Sequence, residues 1–181
     1  MKPGKLLLSV PQTYSAGNRL PGREHFILEL AKKFCWTQGA EIGVRTGRTL
    51  FHLLQNLPGL HMYAVDKDVS QFNSAAPALK YQSRLTILHG ISWEMAHAVP
   101  DASLDFYFID AGHGYRSVTR DIAAWTPKIK PGGWLLGHDI NFPAVNSAVR
   151  DTLKHFEVGS DNVWFHCATG NYSQLQKLVS F

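Results

Sequence analysis

A glycine-containing turn early in the chain has the residue types and spacing of a ligand-binding loop. Residues 40–44 can form a short strand, Gly43 and Gly47 stand four residues apart, and a helical pattern of leucines begins directly afterwards. Such a turn brings backbone N–H groups and a helix N-terminus up to a bound ligand. The next apolar run, 61–65, ends on Asp66, at the position where such folds hold the hydroxyls of a ribose. The pattern therefore predicts a site for a ligand that contains a nucleoside.

Two further features narrow the identity of that ligand. Glu41 lies inside the apolar strand, and because an unpaired buried carboxylate is costly, we expect it to serve ligand binding. The dinucleotide fingerprint G-x-G-x-x-G has a middle glycine that lets a pyrophosphate approach the backbone, and this chain has Val44 or Arg45 there. The difference counts against NAD, although a nucleotide-binding or NAD-dependent protein remains an alternative.

Two carboxylates follow neighbouring predicted strands. The apolar run 104–109 ends on Asp110, and the run 134–137 leads through His138 to Asp139. Converging carboxylates can bind Mg²⁺ or a similar hard cation, which would hold substrate oxygens and lower the pKa of a hydroxyl. In the alternative interpretation, Asp110 contacts cofactor or substrate directly and Asp139 only ends a loop. The residues leave both interpretations open.

A histidine near these carboxylates offers a second chemistry. His113 lies three residues after Asp110. A histidine titrates near neutral pH and can take a hydroxyl proton without a metal. His138 could serve as a ligand, a base or a structural residue. We therefore assign the candidate chemistry to Asp110, His113 and Asp139.

The elements that must position these residues are those of an α/β fold. Five apolar strands alternate with amphipathic helices, and two further strands, 163–168 and 173–179, flank a turn. We expect a Rossmann-like, mostly parallel sheet with helices on both faces and a C-terminal antiparallel hairpin. Helices are predicted at 23–34, 50–57, 68–80, 92–98, 115–125 and 143–156, with Ser92 as an N-cap. The carboxyl ends of parallel strands share one edge, so one rim should carry Asp66, Gly90, Asp110 and Asp139.

Length and composition describe an ordinary globular protein. The 181 residues predict a single domain, with 1–20 as an irregular arm and 21–181 as the folded part. The net charge is +4 and the pI about 9.1, without a run of five basic residues. This balance permits an anionic substrate or RNA but requires neither.

The cysteines and the apolar runs indicate the compartment. Cys35 and Cys167 have no metal-type spacing and are expected to be buried thiols in a reducing environment. The apolar run 6–10 is too short for a signal peptide, and the chain has no stretch of transmembrane length. We expect a soluble, cytoplasmic protein without a membrane partner.

Taken together, these motifs resemble those of the class I S-adenosylmethionine-dependent methyltransferases. The matching segments are 41–47, Asp66, 108–110, 131–133 and 138–139, in the expected order along the chain. The D-x-x-H-x-Y of residues 110–115 looks like a motif of small stand-alone members. Those members are similar to metal-dependent O-methyltransferases that act on catechols, caffeoyl-CoA and sugars. The resemblance covers residues 38–180.

The resemblance implies a seven-stranded sheet with an antiparallel last strand, and it implies roles for individual residues. The glycine turn would surround the methionine portion of the cofactor, Asp66 would hold the ribose, and residues 90–92 would lie beside the adenine. Ile91 stands where many relatives carry an acidic residue. The residues assigned to the cofactor are Glu41, Gly43, Arg45, Thr46, Gly47, Asp66, Lys67, Gly90, Ser92 and Asp110.

The resulting prediction is an S-adenosylmethionine-dependent methyltransferase that acts on a small hydroxyl-bearing substrate, with Mg²⁺ or another divalent cation at Asp110 and Asp139 in one version. An RNA methyltransferase is the less favoured alternative, prompted by the basic pI. The chain has almost no insertion beyond the expected core. The pocket for the acceptor must therefore be completed by the N-terminal arm, by rim loops, or by a second subunit in a homodimer.

Overall fold

The computed structural model describes residues 22–73 and 76–168, with side chains for 22–72 and 78–168. The predicted N-terminal arm, 1–20, and the second strand of the predicted hairpin, 173–179, lie outside the described residues. Within the described residues, seven strands form one sheet. They are β1 Gln38–Ile42, β2 His61–Asp66, β3 Leu85–His89, β4 Leu104–Ile109, β5 Ile129–Gly137, β6 Glu157–Val158 and β7 Trp164–Cys167.

The strands lie in the order β3-β2-β1-β4-β5-β7-β6. All neighbours pair in parallel except β7, which runs antiparallel to both β5 and β6. The helices are α1 Arg23–Lys33, α2 Arg48–Asn56, α3 Ser70–Asn73, α4 Ala76–Lys80, α5 Ser92–Met95, α6 Tyr115–Trp125 and α7 Pro143–Thr152. The expected Rossmann-like, mostly parallel sheet is therefore confirmed.

Alternation along the strands divides the core into two layers. On β4, Phe106 and Phe108 face the layer that contains α1 and α2, whereas Tyr107 and Ile109 face the layer that contains α6 and α7. Successive side chains of a strand point to opposite faces, and both faces of a mostly parallel sheet are covered. This is why β4 is apolar at nearly every position.

The chain changes direction across the sheet at β1. This strand pairs with β2 on one side and with β4 on the other, so the connections after β1 and β4 leave in opposite directions. Backbone bonding continues past the strand ends, because Gly43 N–H donates to Val65 O (2.8 Å) and Asp110 N–H to Ile42 O (2.7 Å). Ligands of open α/β sheets bind in the crevice at such a switch point.

Two local expectations differ from the structure. Ser92 is not an N-cap, since Ile91 takes that position without a capping side chain, and the Ser92 carbonyl accepts a bond from Trp125 Nε1 (3.1 Å). Cys35 is exposed just after the end of α1, and Cys167 is only partly buried. The predicted hairpin partner of β7, 173–179, lies outside the described residues. Within them β7 runs antiparallel to β5 and to β6, and β6 is too short to produce a periodic pattern in the sequence.

Among the helices within residues 22–73 and 76–168, none has the length and apolar character needed to cross a membrane.

A substitution at Gly39 would test the packing of the core layer that contains α1 and α2. A Cβ at this position would meet the Phe106 ring and would lie 2.8 Å from Met62 Sδ, both in the buried core. Overpacking of this kind costs about 1–3 kcal/mol. We expect Gly39→Ala to lower the free energy of unfolding in urea by that amount. Gly59→Ala is the control, because its Cβ would meet no atom within 4 Å, and equal stabilities for both variants would contradict this packing.

Asp121 on α6 makes stability depend on pH. It is fully buried, and neither carboxylate oxygen has a hydrogen-bond partner among the described residues. Burial raises the pKa of Asp121 to about 7, and the nearby Ser92 side chain offsets only part of the effect. A carboxyl whose pKa is higher in the folded than in the unfolded protein holds its proton more tightly in the folded state. The free energy of unfolding therefore decreases as the pH rises from the pKa of the unfolded state to that of the folded state.

We expect the free energy of unfolding to fall by up to about 3 kcal/mol between roughly pH 5 and 7.5 through this residue. Asp121→Asn cannot ionise and should remove that part of the dependence. Urea titrations of both proteins across this range isolate the effect, because the histidines are common to both. Parallel curves for the two proteins would contradict the assignment.

Candidate active site

A cavity of about 510 Å³ opens at the carboxyl ends of β1, β2, β3 and β4. Seven of the ten residues predicted to hold a cofactor lie on its wall: Gly43, Arg45, Asp66, Lys67, Gly90, Ser92 and Asp110. Its volume falls within the range of small-molecule sites, about 300–1,000 Å³. Thr46 and Gly47 are not on the wall, and Glu41 is buried. The tertiary structure thus brings together residues from four separate segments.

Gly43 begins the loop that forms one side of the cavity. Its φ of +91° is unfavourable for residues with a side chain, and an added Cβ would lie 2.6 Å from the carbonyl carbon of Asp110. Gly47 has a φ of +79° and is the N-cap of α2. Two glycines are therefore required, one for close approach of the backbone and one for entry into the helix.

Asp66 connects β2 to this loop. Its Oδ2 accepts hydrogen bonds from Val44 N–H (2.9 Å) and Arg45 N–H (2.8 Å), and its Oδ1 accepts one from Asp68 N–H (3.0 Å). A carboxylate offers about four acceptor positions, so Oδ1 retains one. Asp66 shapes the loop and still has an acceptor position for a ligand hydroxyl.

Glu41 lies behind the loop rather than on the cavity wall. It is 2 % exposed, and its Oε2 has no hydrogen-bond partner among the described residues. Burial first, and then the nearby charge of Asp110, raise the pKa of Glu41 well above its usual value, although Arg23 acts in the opposite direction. A buried carboxyl oxygen that lacks a partner can accept a hydrogen bond from a ligand group or a bridging water.

The three residues assigned to catalysis converge beside the cavity. One ligand atom each from Asp110, His113 and Asp139 lie within 4.8 Å of one another. They come from the end of β4, the loop before α6, and the end of β5. Asp139 has a φ of +58°, an uncommon conformation for a residue other than glycine, and such backbone conformations concentrate at functional sites.

His113 is paired and oriented within this cluster. Its Nε2 lies 2.6 Å from Asp139 Oδ2, and its ring stacks on Phe142 with centroids 5.1 Å apart. When Nε2 carries the proton and donates a hydrogen bond to Asp139, Nδ1 is unprotonated and can act as the base. This is the arrangement that a carboxylate-oriented general base requires.

His138 connects the two carboxylates of the cluster. Its Nδ1 lies 3.0 Å from Asp139 Oδ1 and 3.4 Å from Asp110 Oδ1. Burial alone would lower the pKa of His138, but the hydrogen bond and charge of Asp110, together with the charge of Asp139, raise it overall. These neighbours therefore favour the protonated, positively charged form of His138, which lies between the two acids.

The sequence patterns did not predict two of the residues that lie at the rim. Arg23, at the start of α1, places Nη2 3.1 Å from Asp110 Oδ2. Asp161 lies 3.7 Å from His138 Nε2 and accepts the backbone N–H of Arg23 at 3.0 Å. Neither belongs to a motif, and both reach the rim from distant segments. The only sequence signal was that Arg23 lies in the first turn of a predicted helix, where a positive charge interacts unfavourably with the helix dipole.

Tyr115, the last residue of the D-x-x-H-x-Y segment, has a structural partner. Its hydroxyl donates to Asp151 Oδ2 at 2.9 Å and so connects α6 to α7. The wall of the cavity also includes Trp93, as well as Ser117, which the sequence patterns did not single out for binding. Trp93 stacks beneath the Arg120 guanidinium, 5.2 Å from the ring centroid.

The family described as Methyltransferase domain matches residues 40–140, which is more than half of the chain and extends from within β1 past Asp139. No curated protein matches the sequence.

Solved structures share the fold at low sequence identity. The O-methyltransferase TomG from Streptomyces achromogenes, involved in tomaymycin synthesis and solved in complex with S-adenosylmethionine (SAM), has a TM-score of 0.67 and 15 % identity, over 81 % of this chain and 79 % of that one. An O-methyltransferase from Bacillus cereus, solved in complex with S-adenosylhomocysteine (SAH), has a TM-score of 0.65 and 16 % identity, over 85 % and 84 % of the two chains.

The family match covers the glycine loop, Asp66, the cavity and the Asp110–His113–Asp139 cluster. It confirms the resemblance inferred from the sequence and decides against a nucleotide-binding protein without methyl transfer. The chain belongs to the methyltransferase-domain family and is a class I S-adenosylmethionine-dependent methyltransferase.

Proposed function

We propose that this enzyme transfers the methyl group of SAM to a hydroxyl oxygen of a small molecule. The observation that carries the proposal is the His113–Asp139 pair, which lies next to Asp110 at the edge of the cavity. A carboxylate-oriented imidazole can remove a hydroxyl proton, and Asp110 lies on both the cavity wall and the rim. Methyl transfer then depends mainly on alignment of the two reacting groups.

The cavity fits the cofactor in size and in the chemistry of its wall. Residues 90–93 would face the adenine, Asp66 would accept a hydrogen bond from a ribose hydroxyl, and the loop from Gly43 would surround the methionine portion. Asp110, on the cavity wall, would supply negative charge near that cationic portion. When bound, SAM supplies an electrophilic methyl group on sulfur.

The rim residues have distinct tasks in this proposal. His113 Nδ1 takes the proton of the acceptor hydroxyl, and Asp139 stabilises the imidazolium that forms. The oxygen of the acceptor then attacks the methyl carbon as the bond from carbon to sulfur breaks, which leaves a methyl ether and SAH. Phe142, stacked on His113 and 45 % exposed, offers an apolar surface for the acceptor.

In a more specific version of the proposal, a divalent cation binds at the rim. Asp110, His113 and Asp139 offer two carboxylates and an imidazole, a donor set suitable for Mg²⁺ or Mn²⁺. These three residues would hold the ion, and it would lower the pKa of the acceptor hydroxyl. Full activity in the presence of EDTA would exclude this version and leave His113 as the base.

A small acceptor and a cytoplasmic location agree with the sequence analysis, and RNA is the less favoured acceptor. An RNA substrate predicts tight binding that weakens steeply with salt. Absent or salt-insensitive RNA binding would exclude it.

Cofactor binding can be measured without knowledge of the acceptor. We expect isothermal titration calorimetry to show binding of SAH, and Gly43→Ala to weaken it by at least about tenfold because of the strain at positive φ and the contact with Asp110. The loss should be smaller for 5′-methylthioadenosine, which lacks the amino-acid portion. Gly59→Ala is the control and should bind like wild type. If the wild-type protein binds neither SAM nor SAH, the proposed function is wrong.

The base can be tested with any phenol, catechol or sugar that the wild-type enzyme methylates. We expect His113→Gln to lower kcat by roughly 10²–10⁴-fold, the usual contribution of a general base, while the affinity for SAH changes by less than about threefold. Release of SAH from SAM measures turnover. Tyr115→Phe is the control, because it removes a hydroxyl two residues from His113, at the start of α6, that is not part of the cluster. Unchanged turnover in His113→Gln would exclude this residue as the base.

A further inference from the structure

Arg23 places a permanent positive charge on the carboxylate that the proposed function would use for a metal. Its guanidinium Nη2 lies 3.1 Å from Asp110 Oδ2. Both side chains are largely buried, with 26 % and 14 % exposure, so solvent screens this pair less than a surface pair. Arginine stays charged at all relevant pH values. The rim therefore contains one cation that protonation equilibria do not remove.

The position of Arg23 is determined by the end of α1. Its backbone N–H donates to Asp161 Oδ2 at 3.0 Å, and this carboxylate takes the role of a helix cap that Gly22 cannot fill. Farther along the same helix, Phe26 packs so closely on Gly159 that no Cβ would fit there. The start of α1 thus packs against the turn that precedes β7. This contact fixes the backbone from which the Arg23 side chain extends to the rim.

Every carboxylate oxygen of the two acidic candidate ligands has a partner from the chain itself. Asp110 Oδ2 faces Arg23 and its Oδ1 faces His138, at 3.4 Å. Asp139 Oδ1 faces His138 at 3.0 Å, and its Oδ2 faces His113 at 2.6 Å. A histidine can move or become a ligand, but a guanidinium cannot coordinate a metal. A divalent ion at Asp110 must therefore displace Arg23 or bind against its charge.

We infer that Arg23 controls the metal affinity of this rim: it neutralises Asp110 from within the chain and thereby weakens divalent-cation binding at the Asp110–His113–Asp139 cluster. The inference rests on the active-site location in the proposed function and specifies its ionic requirement. Arg23 acts on Asp110 as a positioning and charge-compensating residue. Its charge also acts on the buried Glu41, so its influence extends to the cofactor side of Asp110.

Binding of Mn²⁺ by the full chain, freed of any histidine tag and without cofactor, tests this inference. The electron paramagnetic resonance signal of free Mn²⁺ reports the bound fraction directly. We expect Arg23→Gln to bind Mn²⁺ at least about tenfold more tightly than wild type, because one nearby positive charge is removed. Asp110→Asn introduced into Arg23→Gln should return the affinity to the wild-type level or below. Both results together would show that the gain occurs at this carboxylate.

Lys32→Gln is the matched control, since Lys32 is a cation on the same helix that pairs with Glu29 away from the rim. It should leave Mn²⁺ affinity unchanged. Arg23→Lys retains a charge and should stay within about threefold of wild type, which keeps the test valid if Arg23→Gln does not fold. Equal Mn²⁺ affinity in wild type and Arg23→Gln would overturn the inference, as would an equal gain in Lys32→Gln or a tenfold gain in Arg23→Lys.

The Mn²⁺ affinities of the Arg23 variants are measured without cofactor, so their interpretation does not depend on cofactor binding. A protein that does not bind SAH would contradict the proposed function, whereas the comparison of Mn²⁺ affinities would still decide the role of Arg23.

Discussion

The close approach of two backbone segments at Gly43 is the constraint on which the site depends. The loops after β1 and β4 leave the sheet in opposite directions, yet they touch where Gly43 meets the backbone of Asp110. The hydrogen bond from Asp110 N–H to Ile42 O keeps the two strands paired up to that point. A side chain at Gly43 would force the segments apart. Because they stay together, the Asp110 carboxylate lies on the wall of the cavity and also in the cluster with His113 and Asp139.

This shared position explains how charge is arranged around the site. Negative charge is needed near a cationic cofactor and near a proton acceptor, but several carboxylates in a half-buried space repel one another. The structure resolves this conflict in two ways. Glu41, the most deeply buried acid of the site, has a raised pKa, whereas Asp110 and Asp139 face Arg23 and the two histidines.

The predictions from sequence were most accurate where a residue follows a strand. Asp66 and Asp110 follow strong apolar runs, and the shared edge of parallel strands requires that they converge whatever the loop details. The local expectations failed where a pattern has several solutions. Ser92 has the composition of an N-cap but bonds through its carbonyl to Trp125, and Cys35 is apolar in type yet lies exposed beyond the end of a helix. The roles of the individual site residues stay predictions, because they depend on ligands.

By itself, the sequence determined the order of strands and helices, the glycine loop and the acids at the strand ends, because each depends on contacts within one short segment. Only the tertiary structure decided what those acids face. Arg23 lies 87 positions from Asp110 in the chain, and Asp161 lies 138 positions from Arg23, with no periodicity or motif to connect them. Their contacts exist because α1 packs on the turn before β7, and such long-range packing leaves no local signal in the sequence.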